Sequence, residues 1–291
     1  MRKRTAARFL LWIVLAGLLS GCGRFPLLNG QEPTEETTEK PVTEATPEPP
    51  VEWKTDEEFV SAVGRALEAR WDYSKPYTAK KLSQLSAAEY QDYLRSCVEA
   101  EEAQLGSILD YRFRDADLAA LAQRYFFALS LQREGAEYAR TDSVTEYNRT
   151  WALGYNYRVA AVYALTQEFS LQVGEDYASR LAELLSTHYE AAKQVALHEY
   201  VEELTASLVY EEDAERSTKK QTCFVGEVVN TTDYDIKSMS IGVSFLDGSG
   251  KILFQASDWI SDLRSGQSAR STIFAENGLY AGMQYSISIY Q

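Results

Sequence analysis

The chain is short of the residues that most often build reaction centres. Its 291 residues include two histidines, three cysteines and three methionines. Structural zinc sites draw on closely spaced Cys and His, and no C-x-x-C pair occurs here. His188 and His198 are ten residues apart; along one straight helix that is ~15 Å and ~80° beyond whole turns, so the two cannot share a metal ion. No H-E-x-x-H, G-x-S-x-G, phosphate-loop or dinucleotide glycine pattern is present. No cofactor is expected. Positive charge is also scarce, with 29 Lys and Arg against 43 Asp and Glu, a net charge of −14. Phosphate backbones are held by clustered Lys and Arg, so the charge balance argues against nucleic acid as a partner class and against a peripheral grip on anionic lipid headgroups. Proline is nearly confined to one end. Six of the seven prolines lie at or before Pro50 and the last is Pro76, so the remainder can fold without proline interruption.

Long hydrophobic runs are missing too. The longest begins at Phe9 and ends at Leu19, after Arg2, Lys3, Arg4 and Arg8. That is about half of the ~20 residues a spanning helix needs. A basic start, a short apolar run and small residues before a cysteine form the layout of a secretory leader covering residues 1–21. Leu19-Ser20-Gly21-Cys22 resembles the lipobox of bacterial lipoproteins. The resemblance implies cleavage between Gly21 and Cys22 and a diacylglycerol on the Cys22 thiol. Two or more acyl chains hold a protein stably on a bilayer, where one myristoyl chain does so only marginally. The expected address is the extracellular face of a bacterial cell membrane, and the membrane is a partner through Cys22.

Residues 22–52 follow as a tether rich in Glu, Thr and Pro. Such a composition cannot bury enough apolar surface to offset the entropy of ordering, so disorder is expected. The remaining ~240 residues suffice for one or two domains, a helical one over 53–216 and a strand-rich one over 217–291.

Three capping boxes open helices, at Thr55/Glu58, Ser86/Glu89 and Ser143/Glu146, and Asp115 is a fourth start signal. Between them apolar residues recur at three and four, as in Leu94, Cys97, Val98, Leu105 and in Leu118, Leu121, Tyr125, Leu129. A third run, from Val144 through Tyr147, Trp151, Tyr155, Val162 and Leu165 to Phe169, reads as one helix. Glu175 to Glu212 reads as one long helix or two. Several amphipathic helices with short connections predict an antiparallel bundle.

Charge interrupts two of the stripes. Glu101 falls between Val98 and Leu105, and Arg158 between Tyr155 and Val162. A buried charge is tolerated when paired and hydrogen-bonded, so an ion pair between Glu101 and Arg158 is expected inside the bundle. The functional alternative is that Arg158, with Tyr147, Trp151, Tyr155 and Asn156, lines a pocket for an anionic ligand. Cys97 lies in a helical pattern and Cys223 in a strand pattern. An oxidising exterior would let them pair across domains, but an isolated Cys usually acts as a small buried hydrophobe.

After a charged connection the period changes to two. Met239, Ile241, Val243 and Phe245 alternate with Ser and Gly, and Tyr285, Ile287 and Ile289 alternate with Ser. Turn residues at 230–233, 247–250 and 264–267 separate the runs, which predicts a small antiparallel β-sandwich. Residues Gly226-Glu227-Val228-Val229-Asn230, Phe245-Leu246-Asp247 with Gly250, and Leu263 with Gly266 before a strand ending at Phe274 resemble the FxLYD domain. That domain is an Ig-like module found at the C-terminus of lipoproteins from Gram-positive bacteria. The naming motif would want Phe, Leu and Tyr where Val243, Phe245 and Leu246 stand; only Asp247 fits. The family implies no catalytic residue.

Together these readings describe an α + β chain acting as a non-catalytic binding or structural module of the cell envelope, with a protein, peptide or polymer as partner. The expected working surface is the set from Tyr147 to Arg158, or the loops near Asp247 and Asn277. The competing expectation is an envelope hydrolase using carboxylates of the helical region.

Overall fold

Thr55 starts the first helix. In the computed structural model, which describes residues 53–276, 278 and 280–291, its hydroxyl accepts from the Glu58 amide while Glu58 accepts from the Thr55 amide. The leader, the Gly21–Cys22 cleavage site, the tether and Asn277 lie outside the described residues. Helix α1 spans Asp56–Ser74. Thr78 caps α2, Ala79–Gln84, and Ser86 with Glu89 closes a second capping box on α3, Ala87–Leu105. Asp115 accepts from two amides at the start of α4, Ala116–Ala136. Each cap satisfies N–H groups that a helix start leaves without partners.

The third expected box does not form. Ser143 sits at φ −85°, ψ 55° and makes no side-chain cap; the Glu146 carboxylate instead accepts from Arg149 Nη2 at 2.6 Å. Nor is the run from Val144 one regular helix. A short α5, Val144–Tyr147, passes into a widened π-type turn at Asn148–Ala152 before α6, Leu153–Glu168. The turn lies against Gly135 of α4, where an added Cβ would meet the Trp151 Cβ at 2.6 Å. Close backbone approach at Gly135, a tertiary constraint, accompanies the local widening. The last helical stretch divides at Thr187 into α7, Ala178–Ser186, and α8, His188–Ser207.

One side of the helical region is a continuous core. Phe59, Val63 and Leu67 of α1 meet Val98 and Leu105 of α3, Tyr125 and Leu129 of α4, and Val159, Val162 and Leu165 of α6. Among the described residues no helix is long and apolar enough to cross a membrane.

Helical structure stops short of Glu212 and Arg216. Leu208 turns extended at φ −63°, ψ 125°, and Glu211–Glu212 forms strand β1, antiparallel to β2, Gln221–Val229. The cause is visible in the packing: Leu208 and Tyr210 are drawn into the core of the sheets. Two three-stranded antiparallel sheets follow. One has the order β1–β2–β5, with β5 at Ser268–Glu276; the other has β4–β3–β6, with β3 at Ile236–Leu246, β4 at Ile252–Leu263 and β6 at Gly282–Tyr290. Strand β5 runs two residues past Phe274, because its pairing with β2 continues to Glu276.

The alternation in β3 has a physical outcome. Met239, Ile241, Val243 and Phe245 are buried, while Ser238, Ser240, Gly242 and Ser244 point away from the core. Phe224 of β2 and Ile273 of β5 belong to the same core as Ile241 and Phe245 of β3. So do Leu197, Tyr200 and Leu204 of α8. Val51–Gln291 accordingly form one compact unit.

Turn residues act as their chemistry predicts. Asp247 Oδ1 accepts from the amides of Ser249 and Lys251, and Gly250 takes φ +85°, a left-handed value that glycine adopts without steric cost. The hydrogen bond from Ser249 and those from the loop amides hold the Asp247 carboxyl below its ordinary range.

Candidate functional site

Among the described residues a buried charge cluster lies inside the helical region. Glu101 of α3 is fully buried and Arg158 of α6 is 2% exposed. Arg158 Nε donates to Glu101 Oε1 at 2.7 Å, and the Tyr125 hydroxyl of α4 donates to the same oxygen. The other carboxylate oxygen accepts from Arg70 Nη1 of α1 at 2.8 Å. Arg70 also donates to Gln132 Oε1 at 3.1 Å, and its guanidinium lies 5.8 Å from the Trp151 ring centre. Four helices therefore meet on one carboxylate.

The electrostatics follow from the geometry. Burial pushes the Glu101 carboxyl upward, but the guanidiniums of Arg158 and Arg70 and the hydrogen bonds outweigh it, so the group is held below the usual carboxylate range. Burial works against the Arg158 cation, and the Glu101 carboxylate more than compensates. Burial likewise raises the Tyr125 phenol, which stays a neutral donor. Two guanidiniums face one carboxylate, and Arg158 Nη2 and Gln132 Nε2 have no hydrogen-bond partner. This cluster is a clamp with surplus positive charge, which acid–base chemistry on a substrate could reach only by unpacking the core.

Periodicity singled out Glu101 and Arg158 but not Arg70 or Gln132. A signal existed for both. Arg70 follows Val63 and Leu67 at steps of four and three, and Gln132 follows Tyr125 and Leu129 in the same way, so each occupies a core stripe.

The remaining residues of the expected set diverge. Tyr147 stacks on Trp151 with ring centres 6.4 Å apart. The Tyr155 hydroxyl lies 3.4 Å from Thr187 Oγ1 and lines a groove with Trp71, Arg180 and Glu183. Asn156 faces a different groove, toward Gln194, His198 and Ile289. Only Trp151 and Arg158 reach the Arg70–Glu101 cluster. His188 stacks on Tyr163 at 3.9 Å and His198 lies 3.3 Å from Glu202.

No family model, curated protein or solved structure matches the chain.

A groove of about 800 Å³ beside α1 has carboxylates on its rim, Asp56, Glu57, Glu68 and Asp115, and Val60, Leu118 and Phe169 among its apolar lining. Asp56 accepts from the amides of Arg114 at 3.0 Å and Asp115 at 3.1 Å. Asp115 caps α4, and Glu68 accepts from the Gly174 amide at 2.6 Å. Three of the four carboxylates thus close a helix start or a loop. Both remaining cysteines, Cys97 and Cys223, are buried free thiols. Burial pushes the Cys97 thiol up, which disfavours its thiolate form.

Proposed function

We propose that the chain is an exported lipoprotein, held by acyl chains on Cys22 at the outer face of a bacterial membrane, whose folded part binds or braces envelope material without catalysing a reaction. In this reading the helices form an antiparallel bundle and the two sheets an FxLYD-like sandwich, carried on the 22–52 tether. The lipobox at Leu19–Cys22 supports the address. The observation that carries the non-catalytic part is the sealing of Glu101: its two oxygens are taken by Arg70, Arg158 and Tyr125 at 0% exposure. In this reading these buried ionisable groups hold helices together, and what the folded part offers a partner is its surface.

Growth of the host with an alkyne-tagged palmitate tests the anchor. The intact chain should carry the label and sediment with membranes, while Cys22→Ala should lose the label and become soluble; a labelled Cys22→Ala chain would defeat the proposal. The rival hydrolase has the α1 groove in its favour. Release of soluble fragments from purified envelope by the protein, abolished by Glu57→Gln, would put that reading in place of ours.

A further inference from the structure

One surface is unlike the rest of a chain in which 25% of residues are charged. Four consecutive rows of directly opposed residues cross the outward side of the β4–β3–β6 sheet, and a fifth, Leu246 with Ile252 and Gly282, lies beyond them. Trp259, Ser240 and Ser288 make one row, and Ser261, Ser238 and Tyr290 the next. The two further rows hold three serines, two glutamines and Gly242. No charged residue occurs in the four rows. At ~4.8 Å between strands and ~6.8 Å between alternate residues, the face measures roughly 20 Å by 10 Å.

Two features make it flat and sticky. Gly242 sits at the centre, where a Cβ would come 2.5 Å from the Ser286 hydroxyl, so the middle of the face carries no side chain. Trp259 and Tyr290 lie against each other, ring centres 5.1 Å apart and planes 23° apart, yet they remain 54% and 50% exposed. Large aromatic area is left in water within four rows whose other side chains are hydroxyls and amides.

We propose that this face binds a strand of uncharged polysaccharide; the proposal rests on reading the folded part as a non-catalytic binding module. A sugar ring is apolar on its C–H faces and polar at its hydroxyl edge. Trp259 and Tyr290 supply rings for the C–H faces, and the serines and glutamines exchange neutral hydrogen bonds with the hydroxyls, each worth little alone. The charge pattern selects the class. An anionic polymer would need Lys or Arg, absent from the face, and would be repelled by a molecule of net charge −14. A cationic partner would find its carboxylates elsewhere.

Native-gel affinity electrophoresis of the full-length chain carrying Cys22→Ala tests it. The gels contain hydroxyethylcellulose, dextran or mannan, with carboxymethylcellulose as an anionic control. At least one neutral polymer should retard the protein and the anionic one should not. Trp259→Ala and Tyr290→Ala should each weaken retardation at least about tenfold, with the far-UV circular dichroism spectrum unchanged. Ser240→Glu, which places a charge directly opposite Trp259 in its row, should do the same. Absence of retardation by all three neutral polymers overturns the inference. Retardation that survives Trp259→Ala also overturns it, while leaving a binding module intact. New reducing ends in the retarding polymer would instead overturn the non-catalytic reading on which the inference rests.

Discussion

Replacing Glu101 by Gln keeps the shape of the clamp and removes its only anion. Arg70 and Arg158 would then face each other across a neutral amide, and taking one partner from a buried ion pair costs ~3–5 kcal/mol. Arg158→Met is expected to cost less, although it removes a longer side chain. Glu101 keeps Arg70 at 2.8 Å and the Tyr125 hydroxyl, the surplus positive charge disappears, and so does the unpartnered Nη2. We expect about half the loss, ~1–3 kcal/mol. Because the residues touch, the double variant should be more stable than the sum of the singles by ~0.5–3 kcal/mol. Urea unfolding followed by tryptophan fluorescence reads all four corners of the cycle. At a slope of about 3 kcal/mol per molar urea, Glu101→Gln should lower the midpoint by at least about 1 M. If Arg158→Met proves the more damaging, or the two losses simply add, the clamp does not work as described.

Acid should expose the same group. Glu101 is held low in the folded chain, so its contribution is complete above the ordinary carboxylate range and is lost as pH falls through the depressed value. Acid unfolding followed by circular dichroism should therefore become shallower in Glu101→Gln; an unchanged profile would count against the role. Gly135→Ala and Gly154→Ala should each destabilise by ~1–3 kcal/mol through overpacking. The new Cβ would meet Trp151 in one and lie 2.7 Å from the Ala128 carbonyl in the other, and a melt that moves by less than a degree would contradict this. Cys97 and Cys223 should react with a thiol reagent only after denaturation and show no mobility change on non-reducing gels, since both are buried and unpaired. A fragment of 217–291 should give the poorly dispersed amide spectrum of an unfolded chain, because it lacks β1 and the α8 residues Tyr200 and Leu204 that complete the sheet core.

Features decided within a few residues were readable in advance. The boxes at Thr55 and Ser86 and the cap at Asp115 are local chemistry, and β3 buries the four residues its alternation marks. Ser143 has the same letters as a box, but Arg149 takes the Glu146 carboxylate, a competition the pattern does not encode. The widened turn at Asn148–Ala152 accompanies a contact with Gly135, thirteen or more residues away in the chain. The boundary near Leu208 was misplaced for a related reason: Tyr200, Leu204 and Leu208 recur at helical spacing whether they face helices or sheets. Of the clamp, the Glu101–Arg158 half stood out as charge within apolar stripes. Arg70 did not, because a single arginine near a helix end reads as solvated until the stripe through Val63 and Leu67 is extended to it.

The burial of the end of α8 among the strands has a mechanical corollary. Anything tugging on the sheets is tugging on a helix whose other flank is seated against α6, so neither half can yield alone. Where the chain enters, Lys54 is stapled to the loop after α3 by paired bonds, its amide to the Asp110 carbonyl and its carbonyl from the Arg112 amide, both at 2.9 Å. Tension arriving through residue 53 therefore meets that staple before it can peel α1 from the core.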